Sequence, residues 1–155
     1  MKATISAPHQ SSLAGLEANV LAVLCYLSAA ILGWIPGIRY VAWLAPLVVF
    51  FLEKKSAFVK FHAMQSFLLH LAGTLLGFLV SVIVGGVVST TAVHGNLNAA
   101  FGFAGVAGLL TLLVGLGLLG LAVWVMLAAY RYKTVALPFI GPLTATVIDK
   151  IETKP

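Results

Sequence analysis

The chain is 155 residues long, 61% hydrophobic and 8% charged, with a formal net charge of +5. Soluble domains carry about 45–50% apolar and about 25% charged residues, so the charges here are too few to cover a water-facing surface, and a mean hydropathy of +1.10 says the same. The length fits one small polytopic membrane unit without a second soluble domain, and the basic residues sit beside apolar runs, where anionic headgroups are a simpler partner than nucleic acid.

Residues 1–17 are polar and small, and they read as a tail outside the bilayer. A cleaved signal peptide is the rival reading of the N-terminus. The first apolar run begins late and ends in Trp34-Ile35-Pro36 without a small-x-small exit, which favours a retained membrane helix. That run, Asn19 to Ile35, stops at Pro36-Gly37, a pair that breaks helices. Its helical length of about 26 Å is marginal for a hydrocarbon core of about 30 Å. Cys25 lies alone inside it, so one chain holds no disulfide and no Cys-based metal site. A second run, Tyr40 to Leu52, gives only about 20 Å. It spans if Lys54 and Lys55 snorkel and the bilayer thins, or else is a re-entrant half-helix. Ser56 caps an interfacial amphipathic helix expected around residues 56–62. From Phe58 the third run continues to about Val88. The fourth occupies Phe101 to Tyr130, with a break or bend expected near Gly102, Gly105 and Gly108. After Pro138, Pro142 opens a short amphipathic helix with Leu143, Val147, Ile148 and Ile151 on one face, expected to lie on the cytoplasmic membrane surface. The fold class is therefore all-α: a polytopic integral membrane protein with four membrane helices, the second short and either spanning or re-entrant. The organisation is a tail (1–17), a membrane domain (18–136) and a cytoplasmic amphipathic tail (137–155).

Lys and Arg near span ends set the orientation. With four spans, Lys2, Lys54, Lys55, Lys60, Arg131, Lys133, Lys150 and Lys154 face the cytoplasm and Arg39 faces out. With a re-entrant second segment, Arg39 and Lys2 exchange sides. Either way the segment from Lys54 to Lys60 and the C-terminus are cytoplasmic, in a bacterial inner membrane. Trp34, Tyr40 and Trp43 mark one headgroup boundary and Trp124, Tyr130 and Tyr132 the other, interhelical packing being the alternative for each.

The strings Leu24-Cys25-Tyr26-Leu27-Ser28-Ala29, Trp34-Ile35-Pro36-Gly37, Ala45-Pro46-Leu47, Phe51-Leu52-Glu53-Lys54-Lys55 and Phe58-Val59-Lys60-Phe61-His62-Ala63-Met64-Gln65-Ser66 belong together. With Ala129-Tyr130, Leu137-Pro138 and Ile140-Gly141, they resemble the Tic20-like family of small bacterial membrane proteins, a domain of unknown function. Tyr132 departs from the family's Ala-x-x-Gly pattern after the last span. The resemblance implies a four-helix membrane fold and, from the plant members, a link to protein translocation.

The candidate site residues fall into three sets. Gly73, Gly77 and Ser81 on the third helix, and Gly108, Thr111 and Gly115 on the fourth, form small-residue seams for close helix packing. Lys54, Lys55, Lys60, Arg131 and Lys133 meet lipid headgroups or form a docking patch, topology determination being the simpler reading. His62 and His70 are candidate cofactor ligands, weighed against interhelical hydrogen bonding. About 12 Å apart along one helix, they cannot share a metal. Ser66 and His70 have the spacing of a Ser–His pair, but no carboxylate occurs between Glu53 and Asp149 to orient them, and Ser66 is expected to bond back to its own helix. No metal or cofactor is expected and no enzymatic activity. The chain reads as a membrane protein working through helix–helix association, either self-assembled as a channel- or translocation-type unit or as an accessory or scaffold subunit of a larger complex.

Overall fold

A computed structural model describes residues 4–32, 34–38 and 41–153. Arg39, Tyr40, Lys2 and Lys154, which entered the orientation argument, lie outside the described residues. In chain order the elements are strand β1 (Thr4–Ile5), helix α1 (Ala18–Leu32), a 3-10 turn (Ala42–Leu44), α2 (Ala45–Leu52), α3 (Ala57–Val93), α4 (Leu97–Tyr130), β2 (Lys133–Thr134) and α5 (Ile140–Glu152). The chain divides into two compact units: residues 1–71 with 122–155, and residues 72–121.

The first unit has the buried core. Ala18, Leu21 and Ala22 of α1 pack with Phe58 and Val59 of α3 and Ala129 of α4. A second cluster joins Cys25, Phe50, Ala63 and Met64, and Val147 and Ile148 of α5 lean on it. Small residues on α1 let it approach α3, while Asn19 ties its first turn to α4 by donating from Nδ2 to the Tyr130 carbonyl at 2.9 Å. The polar N-terminal tail is bound down as well: β1 pairs antiparallel with β2, Thr4 opposite Thr134 and Ile5 opposite Lys133.

Two expectations change here. The interfacial helix around 56–62 is not a separate element; it is the first turns of α3, one helix from Ala57 to Val93. No Pro interrupts that stretch, so nothing in the backbone forces a break. Likewise α4 runs unbroken through Gly102, Gly105 and Gly108, since glycine lowers helix propensity by only about 1 kcal/mol. The apolar side of α5 is divided: Val147 and Ile148 cover the second core cluster, while Leu143 and Ile151 are exposed.

The second unit is a helical hairpin, residues 72–93 of α3 and 97–121 of α4. At 1.5 Å per residue these are about 33 and 37 Å, enough to cross a hydrocarbon core of about 30 Å. Their outer faces are apolar and exposed: Phe78, Leu79, Ile83, Val106, Leu112 and Leu119 are each more than half accessible. The gap left between the third and fourth apolar runs, Ser89 to Ala100, shrinks to a tight turn. Gly95, at φ +78, closes α3, its N–H donating to the Ala92 carbonyl, and Asn96 caps α4 by accepting from the Ala99 N–H at 3.1 Å. This is the glycine C-cap followed by an asparagine N-cap. Ser89 and Thr90 stay helical because their hydroxyls bond back to Gly85 and Gly86 carbonyls.

Candidate functional site: a buried polar layer and a basic rim

Helix α3 contributes His62, Gln65 and Ser66 to the interior of the first unit, all fully buried. A polar group buried without a partner costs about 1–3 kcal/mol, and the partners come from α1 and the 135–137 segment. The Gln65 amide donates from Nε2 to the Val135 carbonyl and to the Tyr26 hydroxyl, both at 3.1 Å, and its Oε1 accepts the Leu137 N–H at 3.1 Å. One side chain thus pairs with the backbone of residues 135–137 as a neighbouring strand would. The Tyr26 hydroxyl shares a second hydrogen bond with His62 Nδ1, 3.1 Å away. His62 Nε2, on the other edge of the ring, is buried without a hydrogen-bond partner.

Ser66 donates to the Cys25 carbonyl of α1 at 2.8 Å, not to its own helix as expected, and this bond directs it away from a Ser–His pairing with His70. His70 is half-buried with Nδ1 unpartnered. Among the described residues no three His, Cys, Asp or Glu side chains gather. The layer therefore joins α1, α3 and the 135–137 segment.

A second polar cluster lies where α2 turns into α3. Ser56 caps α3, its hydroxyl accepting the Val59 N–H at 3.1 Å, and donates to His9 Nε2 at 2.7 Å. Glu53, only 1% exposed, accepts from the Ser12 hydroxyl (2.8 Å), the Ser12 N–H, and the N–H groups of Lys55 (2.8 Å) and Ser56 (2.9 Å). Burial alone would raise its carboxyl; the Lys55, Ser56 and Ser12 hydrogen bonds outweigh that and hold it below the usual carboxylate range. Sequence reasoning missed Glu53 as a structural anchor. The signal was its position three residues before Ser56, with no other carboxylate able to meet the first N–H groups of α3.

The predicted cations separate. Lys54, Lys55 and Arg131 are exposed and Lys133 is half-buried in β2. Lys60 does not face a headgroup freely: its Nζ sits 2.7 Å from Glu152, fastening α5 to α3. Tyr132 takes φ +56, a left-handed conformation glycine adopts without strain. Its ring packs near His9 and Phe58, and its hydroxyl donates to Glu17 at 2.8 Å.

In the second unit, Gly73, Gly77, Thr111 and Gly115 line an apolar cavity of about 330 Å³ between α3 and α4, with Leu76, Val80, Val84 and Leu118. A Cβ on Gly73 would meet Leu118 Cδ1 at 3.9 Å, whereas one on Gly77, Gly108 or Gly115 would meet nothing within 4 Å. The seam residues thus border a groove and do not bring the two backbones into close contact. Gly108 and Ser81 are exposed outside the lining, Ser81 bonding back to the Phe78 carbonyl.

The chain is mostly helical, and α3 and α4 are each long and apolar enough to cross a membrane. Residues 17–144 match the magnetosome magnetite crystal formation protein family, MamF/MmsF, and the chain belongs to it. It is also similar to a UPF0132 membrane protein of Methanocaldococcus jannaschii, with 41% identity over 78 residues, 49% of this chain and 46% of that protein. The chain thus spans about half the length of that curated relative. No solved structure matches. These matches overturn the Tic20-like resemblance, and the translocation role it implied goes with it. Generic features of a small helical membrane protein, a Pro-Gly break and a basic segment after an apolar run, carried that resemblance.

Proposed function

We propose that the protein is a non-catalytic scaffold or accessory subunit of a bacterial inner membrane, working through helix association with itself or with other membrane subunits and using neither cofactor nor nucleic acid. The observation that supports this best is the charge-free hairpin, whose outward faces suit lipid and whose α3–α4 groove is lined by glycines with open space above them. In this reading α1 and α2 are short membrane segments beside α3 and α4, giving four, and the C-terminus is cytoplasmic with Lys54, Lys55 and Arg131. The family description ties its members to magnetite crystal formation. For this chain we read that as a membrane-scaffold role and not as direct mineral coordination, because three of its four carboxylates, Glu17, Glu53 and Glu152, are engaged with Tyr132, Ser12 and Lys60, which leaves the exposed Asp149 alone.

Gly77→Leu and Gly115→Leu test this reading. A Cβ at either position meets nothing within 4 Å, and helical content and membrane insertion equal to the parent's are the control for folding. Filling the groove removes association, read as loss of the oligomer or co-purifying subunits in native mass measurements from mild detergent. Association that survives both substitutions with every partner refutes the proposal. Loss of a specific catalytic activity in Ser66→Ala or His70→Ala, with the fold intact, refutes its non-catalytic part.

A further inference from the structure

Two separate helix ends in the first unit change abruptly from exposed apolar to exposed cationic side chains. Phe51 and Leu52, 59% and 54% accessible, close α2 just before Lys54 and Lys55; Leu127 and Tyr130, 52% and 61% accessible, close α4 just before Arg131. The fold holds these two boundaries together. His9 bonds Ser56 at 2.7 Å and sets its ring 6.0 Å from that of Tyr132, while Phe58 and Tyr132 rings lie 5.7 Å apart. Lys54 and Lys55 precede Ser56 directly, and Arg131 and Lys133 flank Tyr132.

In sequence, Glu53 neutralises its lysine neighbours. In the structure its carboxylate turns inward to Ser12 and the α3 N–H groups, which leaves the two ammonium groups outside. Glu17 is the other carboxylate of this rim and accepts from the Tyr132 hydroxyl. Four cations therefore face two carboxylates that are already hydrogen-bonded, one of them buried. A cationic rim bordered on its inner side by exposed apolar side chains suits a headgroup layer, where phosphate lies directly above hydrocarbon; an acidic protein or a nucleic acid would leave Phe51, Leu52 and Leu127 unmatched.

We propose that Lys54, Lys55 and Arg131, with Lys133, form a site that selects anionic phospholipid headgroups over zwitterionic ones. The proposal rests on the membrane reading above and adds lipid selectivity to it. The full chain is reconstituted in vesicles of mixed phosphatidylglycerol and phosphatidylcholine and extracted in mild detergent, and the lipid that stays bound is weighed by mass spectrometry. The bound shell is enriched in phosphatidylglycerol over the bulk mixture, and high salt removes the enrichment. Each cation neutralised lowers the preference by about fivefold, so Lys54→Gln/Lys55→Gln/Arg131→Gln keeps only the residual bias of about fivefold that Lys133 supplies. Lys54→Arg/Lys55→Arg/Arg131→Lys keeps the preference, as does Lys150→Gln on α5. Bulk-ratio binding by the parent, undiminished preference in the triple Gln variant, or loss in that variant of only a co-purifying acidic protein overturns the site. Alkaline carbonate extraction of the parent from its membrane instead removes the membrane reading, independently of lipid preference.

Discussion

Glu53→Gln isolates the contribution of one buried carboxylate. The two side chains have the same shape, so the amide oxygen can occupy the position of Oε1 and still receive the Ser12 hydroxyl and the Lys55 and Ser56 N–H groups. The substitution exchanges bonds to a charged acceptor, about 1.5–3 kcal/mol each, for neutral ones of about 0.5–1.5. It also sets an NH₂ group where Oε2 accepts the Ser12 N–H at 3.0 Å, donor against donor. Because the amide retains several contacts, the net loss is about 2 kcal/mol rather than the sum of every bond. In native-state hydrogen exchange that is about a 30-fold faster rate at Ser12, Lys55 and Ser56. The carboxyl titrates below its unfolded value near 4.5, so its stabilisation is complete above that pH and is lost as pH falls through the folded value. Parent and variant therefore differ by the same factor between about pH 5 and pH 7 and converge under stronger acid. Equal exchange rates at neutral pH, or a gap that persists undiminished in acid, would refute the anchor.

Other substitutions probe the remaining contacts. Gln65→Leu strands the Val135 carbonyl and the Leu137 N–H and costs about 3 kcal/mol, visible as faster exchange at Leu137 and a lower unfolding temperature in detergent. Gly141→Ala places a Cβ 2.5 Å from Ala136 Cβ and 2.8 Å from its Cα, so the backbone must shift; α5 loosens by about 1–3 kcal/mol and residues 133–152 become sensitive to protease. Lys60→Gln breaks a half-exposed ion pair and costs less than about 1 kcal/mol, a difference that salt removes.

The buried layer around Gln65 ties separate elements to one another. Each of its bonds crosses between elements: Tyr26 to His62 joins α1 to α3, Ser66 to Cys25 repeats that join one turn on, and Gln65 grips residues 135–137. Sliding α1 against α3 by one residue would break them together and bury their polar groups unpaired. An apolar interface tolerates such a slip at little cost, because one aliphatic contact replaces another. The layer therefore fixes a register that the leucine- and alanine-rich faces alone leave open.

Legibility in the sequence tracks the range of the forces involved. Apolar runs without charge, a Pro36-Gly37 break and a Ser56 cap are local, and each appears where its chemistry requires: α1 ends at Leu32, and α3 begins at Ala57 under the Ser56 hydroxyl. The helix ends at the hairpin differ from expectation by a few residues, because Ser89 and Thr90 look like loop residues until their hydroxyls bond back to the helix. Contacts between distant segments are not legible. Nothing local says that His9 meets Ser56, that Lys60 pairs with Glu152, or that Ser66 looks across to Cys25. Tyr132 shows the difference most directly. Its backbone takes the left-handed geometry, φ +56, that a glycine adopts without strain. A bulky residue holds that conformation at a cost of about 1–3 kcal/mol, offset by ring contacts with His9 and Phe58 and a hydrogen bond to Glu17. Those compensations come from positions 9, 17 and 58, far from the turn they stabilise, so no window around residue 132 contains them.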